Sequence, residues 1–274
     1  MAYEQYRPTG FRVLPPVVKN LIIINALMFL GTYAVGYTFD INLVDYLGLH
    51  YVESGKFNPF QYISYMFMHG GFSHIFFNMF ALWMFGNVLE NVWGGKRFLT
   101  YYLITGIGAA LIQTFVTWLS FRGIQADANT YFASPGPDAF IAFVREHFPL
   151  YYNQISGFAA SWNLNPSDSS MIHESFSYIN DLIALKMDIP TVGASGAIFG
   201  VLLAFGMMFP NSLLYVFFAI PIKAKYFVMI YGALEIYLGI ANNPGDNVAH
   251  FAHLGGMIFG FFLIRYWTKH PRYR

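Results

Sequence analysis

Six long apolar runs decide what this chain can fold into: about Val17 to Tyr37, His74 to Trp93, Phe98 to Leu119, Gly193 to Phe209, Ile222 to Ile240 and Val248 to Trp267. Each is close to the roughly 20 residues that a helix needs to cross the hydrocarbon of a bilayer. Charged residues fill 11% of the 274 positions and hydrophobic ones 56%, with a mean hydropathy of +0.45, whereas soluble domains carry about 25% charge. A lipid bilayer is therefore the expected surrounding. The expected fold class is all-α: a polytopic bundle of six transmembrane helices forming a single membrane domain over residues 1–274.

An even number of spans leaves both termini on one side, and the basic residues say which. Arg7 and Arg12 precede the first run and Lys19 lies at its start, Lys96 and Arg97 follow the second, Lys223 and Lys225 lie at the start of the fifth, and Arg265, Lys269, Arg272 and Arg274 close the chain. That puts eleven of the fifteen Lys and Arg residues on one face, against Lys56, Arg122, Arg145 and Lys186 with eleven acids on the other. Basic residues favour the inner face, so both termini are expected in the cytoplasm of a multi-pass cell-membrane protein. The first run is longer than the apolar core of a secretion signal and no small-residue cleavage site follows it, so it is expected to stay. Absence of Cys excludes disulfide scaffolds, thiol catalysis and thiolate metal sites. A net charge of +1 gives no reason to expect nucleic acid as a partner.

Two connections are too long to be turns. Thr38 to Ser73, rich in Tyr, Phe and Gly, is expected to lie half-immersed on the outer side. The other, about Ser120 to Pro190, carries seven acids against three bases. Its pattern predicts two amphipathic helices, around Pro137 to Gln154 and Ser170 to Met187, each bounded by Pro, Gly, Asn or Ser. Residues 120–190 are expected to be an ordered extracytoplasmic insertion, mostly helical, with no chemistry of its own.

The polar residues inside the runs carry the functional signal. GASG at Gly193 to Gly196 and HFAHLGG at His250 to Gly256 place a hydroxyl and an imidazole in two separate spans. There such groups are costly unless they pair or line a wet cavity. From Ser195 to Phe209, before Pro210, a helix of fifteen residues spans only about 22 Å of the roughly 30 Å of hydrocarbon. With its inner end at the interface, Ser195 starts the helix below the outer surface, in a depression that water must enter to reach the unpaired first amides. Those amides, at the positive end of the helix, suit an oxyanion forming beside Ser195.

Glycine spacing gives the two helices a reason to meet. Gly196 and Gly200 are four apart, as are Gly256 and Gly260, a pattern that lets helix backbones approach closely. His253 shares the face of Gly256 and Gly260, so tight packing would bring it within the roughly 3 Å that a general base needs from Ser195. On the second run His74 and Asn78, four apart, occupy one face near its outer end. Held near Ser195 they would supply hydrogen-bond donors to an oxyanion; taken alone, they would as readily anchor the preceding loop. His69, at a Gly-Gly turn, fits that anchoring role better.

GFSHIFFNMFALWMFGNVLE, GASGAIFG and AHFAHLGG resemble, in order and each on the expected span, the motifs of the rhomboid intramembrane proteases, and FNPFQYISYMFMHGG is similar to that family's lead into its second helix. The resemblance covers about Pro16 to Trp267 apart from Ser120 to Pro190. It implies an intramembrane serine endopeptidase of the bacterial, six-span type, in a bacterial inner membrane. By position it makes Ser195 the nucleophile, His253 the base, and His74 and Asn78 the oxyanion donors. His69 and His250 match accessory positions, and Phe199 the aromatic on which the catalytic ring packs. No metal and no cofactor is implied. The implied partners are the transmembrane segments of other proteins, entering sideways from the bilayer and cut near small residues.

Two features depart from the family. The first long connection has no Trp-Arg pair, and the acidic segment exceeds the minimal connection. No third, acidic catalytic residue is expected. Asp246 stands seven residues before His253, about 10 Å along a helix and too far to orient it. Glu235, an unusual acid within the fifth run, is expected to be protonated or bonded to a neighbouring helix and is given no catalytic role. Two rival readings use the same residues. One is an inactive relative that binds transmembrane helices without cutting them, although such relatives usually lack the Ser or His present here. The other is a transporter or metal-handling protein built on His69, His74, His250 and His253, which leaves GASG unused and has no carboxylate or Cys nearby.

Overall fold

The computed structural model describes residues 12–216, 219–241, 243, 246 and 248–270. Arg7, Arg272 and Arg274, part of the charge argument above, lie outside the described residues. Among the described residues twelve α-helices follow in order, with one small hairpin among them: α1 Pro16–Phe39, α2 Leu43–Leu47, α3 Gln61–Ser64, α4 Phe72–Ala81, α5 Asn87–Trp93, α6 Gly95–Ala133, α7 Pro137–His147, α8 Tyr152–Trp162, α9 Ser169–Met187, α10 Ser195–Met208, α11 Ala224–Ala241 and α12 His250–Lys269. A π-helical turn, Leu82–Gly86, joins α4 to α5 into one rod from Phe72 to Trp93. Strands β1 Leu213–Val216 and β2 Ile220–Lys223 pair antiparallel between α10 and α11, Leu213 opposite Lys223, a minor departure from an all-helical chain.

All six expected runs are helical. By length and composition four rods among the described residues can cross a bilayer: Pro16–Phe39, Phe72–Trp93, Gly95–Ala133 and Ala224–Ala241. The other two are special for reasons of sequence. α12 has 20 residues but carries His250, His253, Arg265 and Lys269. α10 has 14, about 21 Å, and its apolar side chains are buried nearly all round, as in a helix enclosed by its neighbours. In contrast α1 exposes Leu27, Leu30 and Tyr33, and α11 exposes Met229, Ile230, Tyr237 and Ile240, faces that belong against lipid.

Capping explains where α1 begins. Pro16 stands where a helix tolerates proline, and the Glu90 carboxylate accepts the next two amides, Val17 N–H to Oε1 at 2.9 Å and Val18 N–H to Oε2 at 2.7 Å. α6 was expected to end near Leu119; it runs on to Ala133, 39 residues and about 58 Å, because the first strong helix breaker is Ser134-Pro135-Gly136-Pro137. Its outer part buries Phe121, Ile124, Ala128 and Tyr131, spaced as one helical face.

That face is one wall of a second apolar core, shared with Phe140, Phe143 and Val144 of α7, Ile155, Ala159 and Trp162 of α8, and Ile179, Leu182 and Ile183 of α9. The single amphipathic helix expected over Pro137 to Gln154 is two: α7 stops before Phe148-Pro149, where the proline ring forbids the helical conformation behind it, and α8 starts afresh at Tyr152. Asp168 caps α9 by accepting the Ser170 N–H. Tyr51 of the first long connection stacks on Phe121, centroids 4.6 Å apart, and so ties this outer core to the membrane bundle.

Candidate active site

The start of α10 is held from outside the helix. Thr191 and Leu49 exchange backbone hydrogen bonds of 2.9 and 2.8 Å, an isolated antiparallel bridge, and Gly193 N–H donates to Tyr65 O at 2.9 Å. The connection that supplies Leu49 and Tyr65 is itself fixed by buried Gln61, whose side chain accepts from His50 N–H and donates to the carbonyls of Tyr46 and Lys56. Gly193 has φ +127°, a conformation that side chains rarely permit, and this turn delivers Ser195 as the first residue of α10. Ala194 at the cap offers no side-chain acceptor, so the first amides of the helix find none there.

Gly256 of α12 lies so close to the Gly196 carbonyl that any Cβ would run into it. Three residues earlier on α12, His253 Nε2 lies in hydrogen-bond contact with the Ser195 hydroxyl at 2.8 Å. The glycine pairing is therefore partly as expected, with one correction. Gly200 and Gly260 do not face each other but both meet α6: Gly200 packs on Thr105, Gly260 on Tyr101, and the Tyr101 hydroxyl donates to Gly200 O at 2.8 Å. The seam has three helices, and glycine spacing marks only two of them because α6 meets it through Tyr101, Thr105 and Ala109. Phe199 stacks flat on His253, centroids 4.1 Å apart and planes 6° apart, and Tyr231 of α11 stacks on the far side of Phe199 at 5.3 Å.

His74 closes the opposite side. A Cβ added at Gly193 would lie 2.7 Å from His74 Nε2 and 3.5 Å from Ser195 Oγ, which places the ring beside the hydroxyl. Asn78, one turn on, is buried, and its Nδ2 has no hydrogen-bond partner among the described residues. His69 is buried edge-on to His74, centroids 5.0 Å apart; burial and then the neighbouring ring push it down to about 4.

Glu235, expected to be protonated or bonded to a neighbouring helix, is bonded to α12, and its partners there are the two histidines of the site, a link the sequence reading did not make. It is buried on α11, and its Oε2 accepts from Nδ1–H of His253 at 2.9 Å and from Nδ1–H of His250 at 2.6 Å. The signal was available: an acid inside a span asks for a named partner, and Glu235 sits one turn from Tyr231. Asp246 does not reach His253, as argued, but its Oδ2 lies 2.9 Å from Nε2 of His250, whose hydrogen bond is the first cause holding Asp246 below the usual carboxylate range. The objection that no carboxylate stands near the histidines is overturned as well: Glu235, His250 and His253 offer ligand atoms within 4.8 Å of one another, here engaged in hydrogen bonds among themselves.

A polytopic helical membrane protein with a hydroxyl–imidazole pair at the start of its most enclosed helix is the class defined so far. The rhomboid domain model matches residues 56–125 and 151–270, and the chain belongs to the rhomboid family. An uncharacterized mitochondrial rhomboid protein of Schizosaccharomyces pombe is 25% identical over 215 residues, 76% of this chain and 51% of the relative. The chloroplastic rhomboid-like protein 11 of Arabidopsis thaliana is 30% identical over 99 residues, 36% of this chain and 31% of the relative. The chain thus spans about half the length of the first relative and under a third of the second. Both relatives carry organellar names, which does not fit the expected bacterial inner membrane; what the helices support is a membrane protein.

Proposed function

We propose that this chain is an intramembrane serine endopeptidase that cuts transmembrane segments of other proteins, and not an inactive binder. The observation that carries the reading is the 2.8 Å hydrogen bond from Ser195 Oγ to His253 Nε2 at the first residue of a 14-residue enclosed helix. Ser195, partly exposed, attacks the scissile carbonyl while His253 takes its proton. Electron density moving onto the carbonyl oxygen is met by the free amides at the start of α10 and by donors from His74 and Asn78. His253 then protonates the leaving amine, a water replaces it, and the same ring activates that water to release the acyl group. Neither metal nor cofactor enters these steps. The substrate class is read from a site enclosed by apolar helices, and the charge asymmetry of the sequence supports a catalytic end that faces outward.

A fluorophosphonate probe tests this directly. Labelling at Ser195 alone, lost in Ser195→Ala and His253→Ala variants that remain folded in detergent and no longer cut a model transmembrane substrate, is the expected result. Binding of transmembrane helices with no labelling would identify the inactive relative, and substantial cleavage by folded Ser195→Ala would end the mechanism.

A further inference from the structure

Five polar groups form one unbroken chain of contacts. Ser195 Oγ meets His253 Nε2 at 2.8 Å, His253 Nδ1 meets Glu235 Oε2 at 2.9 Å, the same oxygen meets His250 Nδ1 at 2.6 Å, and His250 Nε2 meets Asp246 Oδ2 at 2.9 Å. Counting protons along it leaves little freedom. An ionised Glu235 can only accept, so the one N–H of a neutral His253 ring is at Nδ1, and Nε2 is left to accept from the hydroxyl. His250 stands between two carboxylate oxygens, and a neutral imidazole has one N–H; both contacts are hydrogen bonds when His250 is an imidazolium. Glu235, His250 and His253 are 5%, 7% and 7% exposed, so an unpaired charge on any of them would be costly and the pairing is what makes the trio tolerable.

We propose that Glu235 is a positioning residue for the Ser195–His253 pair: it holds the imidazole as the Nδ1–H tautomer with Nε2 aimed at the hydroxyl, while His250, clamped by Asp246, keeps Glu235 ionised and in place. Its catalytic consequence rests on the protease reading; its tautomer does not. In acyl transfer the Ser195 proton passes to Nε2, the Oγ–C bond forms, and the proton leaves with the amine as the C–N bond breaks. Glu235 keeps its charge throughout and opposes the imidazolium that forms beside it. α11 thereby fixes the ring twice, its plane through Tyr231 and Phe199 and its tautomer through Glu235.

The test uses the full chain in detergent. Fluorophosphonate labelling rate, and kcat and KM on a transmembrane substrate, are measured for the wild type, Glu235→Gln and Glu235→Asp, and His253 is observed in the wild type by nitrogen NMR. Expected are a labelling rate and kcat at least about tenfold lower in Glu235→Gln with KM little changed, partial recovery in Glu235→Asp, and an Nδ1–H signal for His253. Labelling of folded Glu235→Gln at the full rate, or a His253 protonated at Nε2, overturns the proposal. So does a wild type that labels only after a chelator strips a metal from these residues. Should Glu235→Gln not fold, the tautomer in the wild type decides alone. A wild type that never labels removes the protease reading, and the same spectrum still judges the placement of Glu235.

Discussion

Phe199 has no polar atom, yet it sets the plane in which His253 can accept a proton, because a ring stacked at 4.1 Å leaves the imidazole one orientation. The residues around Ser195 divide by what they can donate. Asn78→Ala removes a buried amide that no other described residue uses, and turnover is expected to fall by about ten- to a thousandfold with little change in substrate binding. His74→Ala is expected to behave alike; full turnover in both, read by single-turnover cleavage, would leave them as anchors of the preceding loop. His69 gives a pH prediction. Its folded value near 4 lies below the ordinary 6.5, so the unfolded chain binds more protons between the two. The stability that depends on its neutral ring is whole above 6.5 and is lost as the pH falls toward 4, so the melting midpoint in detergent should drop across that window, less steeply in His69→Phe. Ser195, His253, Phe199 and His74 were legible because each belongs to a spaced motif. That Glu235 needs a partner was legible from an acid inside a span; that the partners are His250 and His253, 15 and 18 residues away on another helix, was not, because a lone acid in an apolar run has no spacing to read.

At the scale of elements, hydrophobic length located the four rods of the described residues that can cross a bilayer, but not every helix end. α6 overran its apolar run by 14 residues, since nothing between Leu119 and Ala133 stops a helix and the polar stretch buries a stripe of its own. α7 and α8 were read as one because their apolar spacing continues across a proline that ends the first. The three-helix seam was half legible: glycines marked α10 and α12, but the α6 face is made by Thr105, Ala109 and the Tyr101 hydroxyl. Gly256 is the tightest point on it. Gly256→Ala is expected to force α12 off the α10 carbonyl, lowering stability by about 1–3 kcal/mol or preventing folding, and to lengthen the Ser195–His253 hydrogen bond. Thermal melting and probe labelling check both; unchanged labelling would show that the backbones can part without disturbing the pair.

Over the whole molecule, two cores are joined by one helix and a few cross-links. Ser54 Oγ–H donates to Asp188 at 2.7 Å and Lys56 pairs with the same carboxylate at 3.5 Å, fastening the end of α9 to the first connection just before the bridge at Thr191. These links lie outside Ala126 to Met187, so replacing that stretch with a short Gly-Ser linker should leave labelling of Ser195 intact and alter which substrates are cut or how fast, since closing a flexible loop costs little. A trimmed protein that inserts and folds but fails to label would make the outer helices part of the catalytic architecture. That the segment is a unit with its own core was not legible from charge alone; acidity is only a reason to expect it outside the membrane, and the burial of Phe140, Trp162 and Ile179 gives it a reason to hold together.

The uninterrupted course of α6 has a mechanical meaning. Thr105 and Ala109 rest against the first two turns of α10, while Ala128 and Tyr131, on the same rod, are cemented into the outer helices. No proline separates the two ends. With no such break, a push on the outer helices is expected to be carried along the rod toward the turn that presents Ser195 rather than taken up at one bend, and a change in probe labelling of Ser195 when the outer helices are bound would check it.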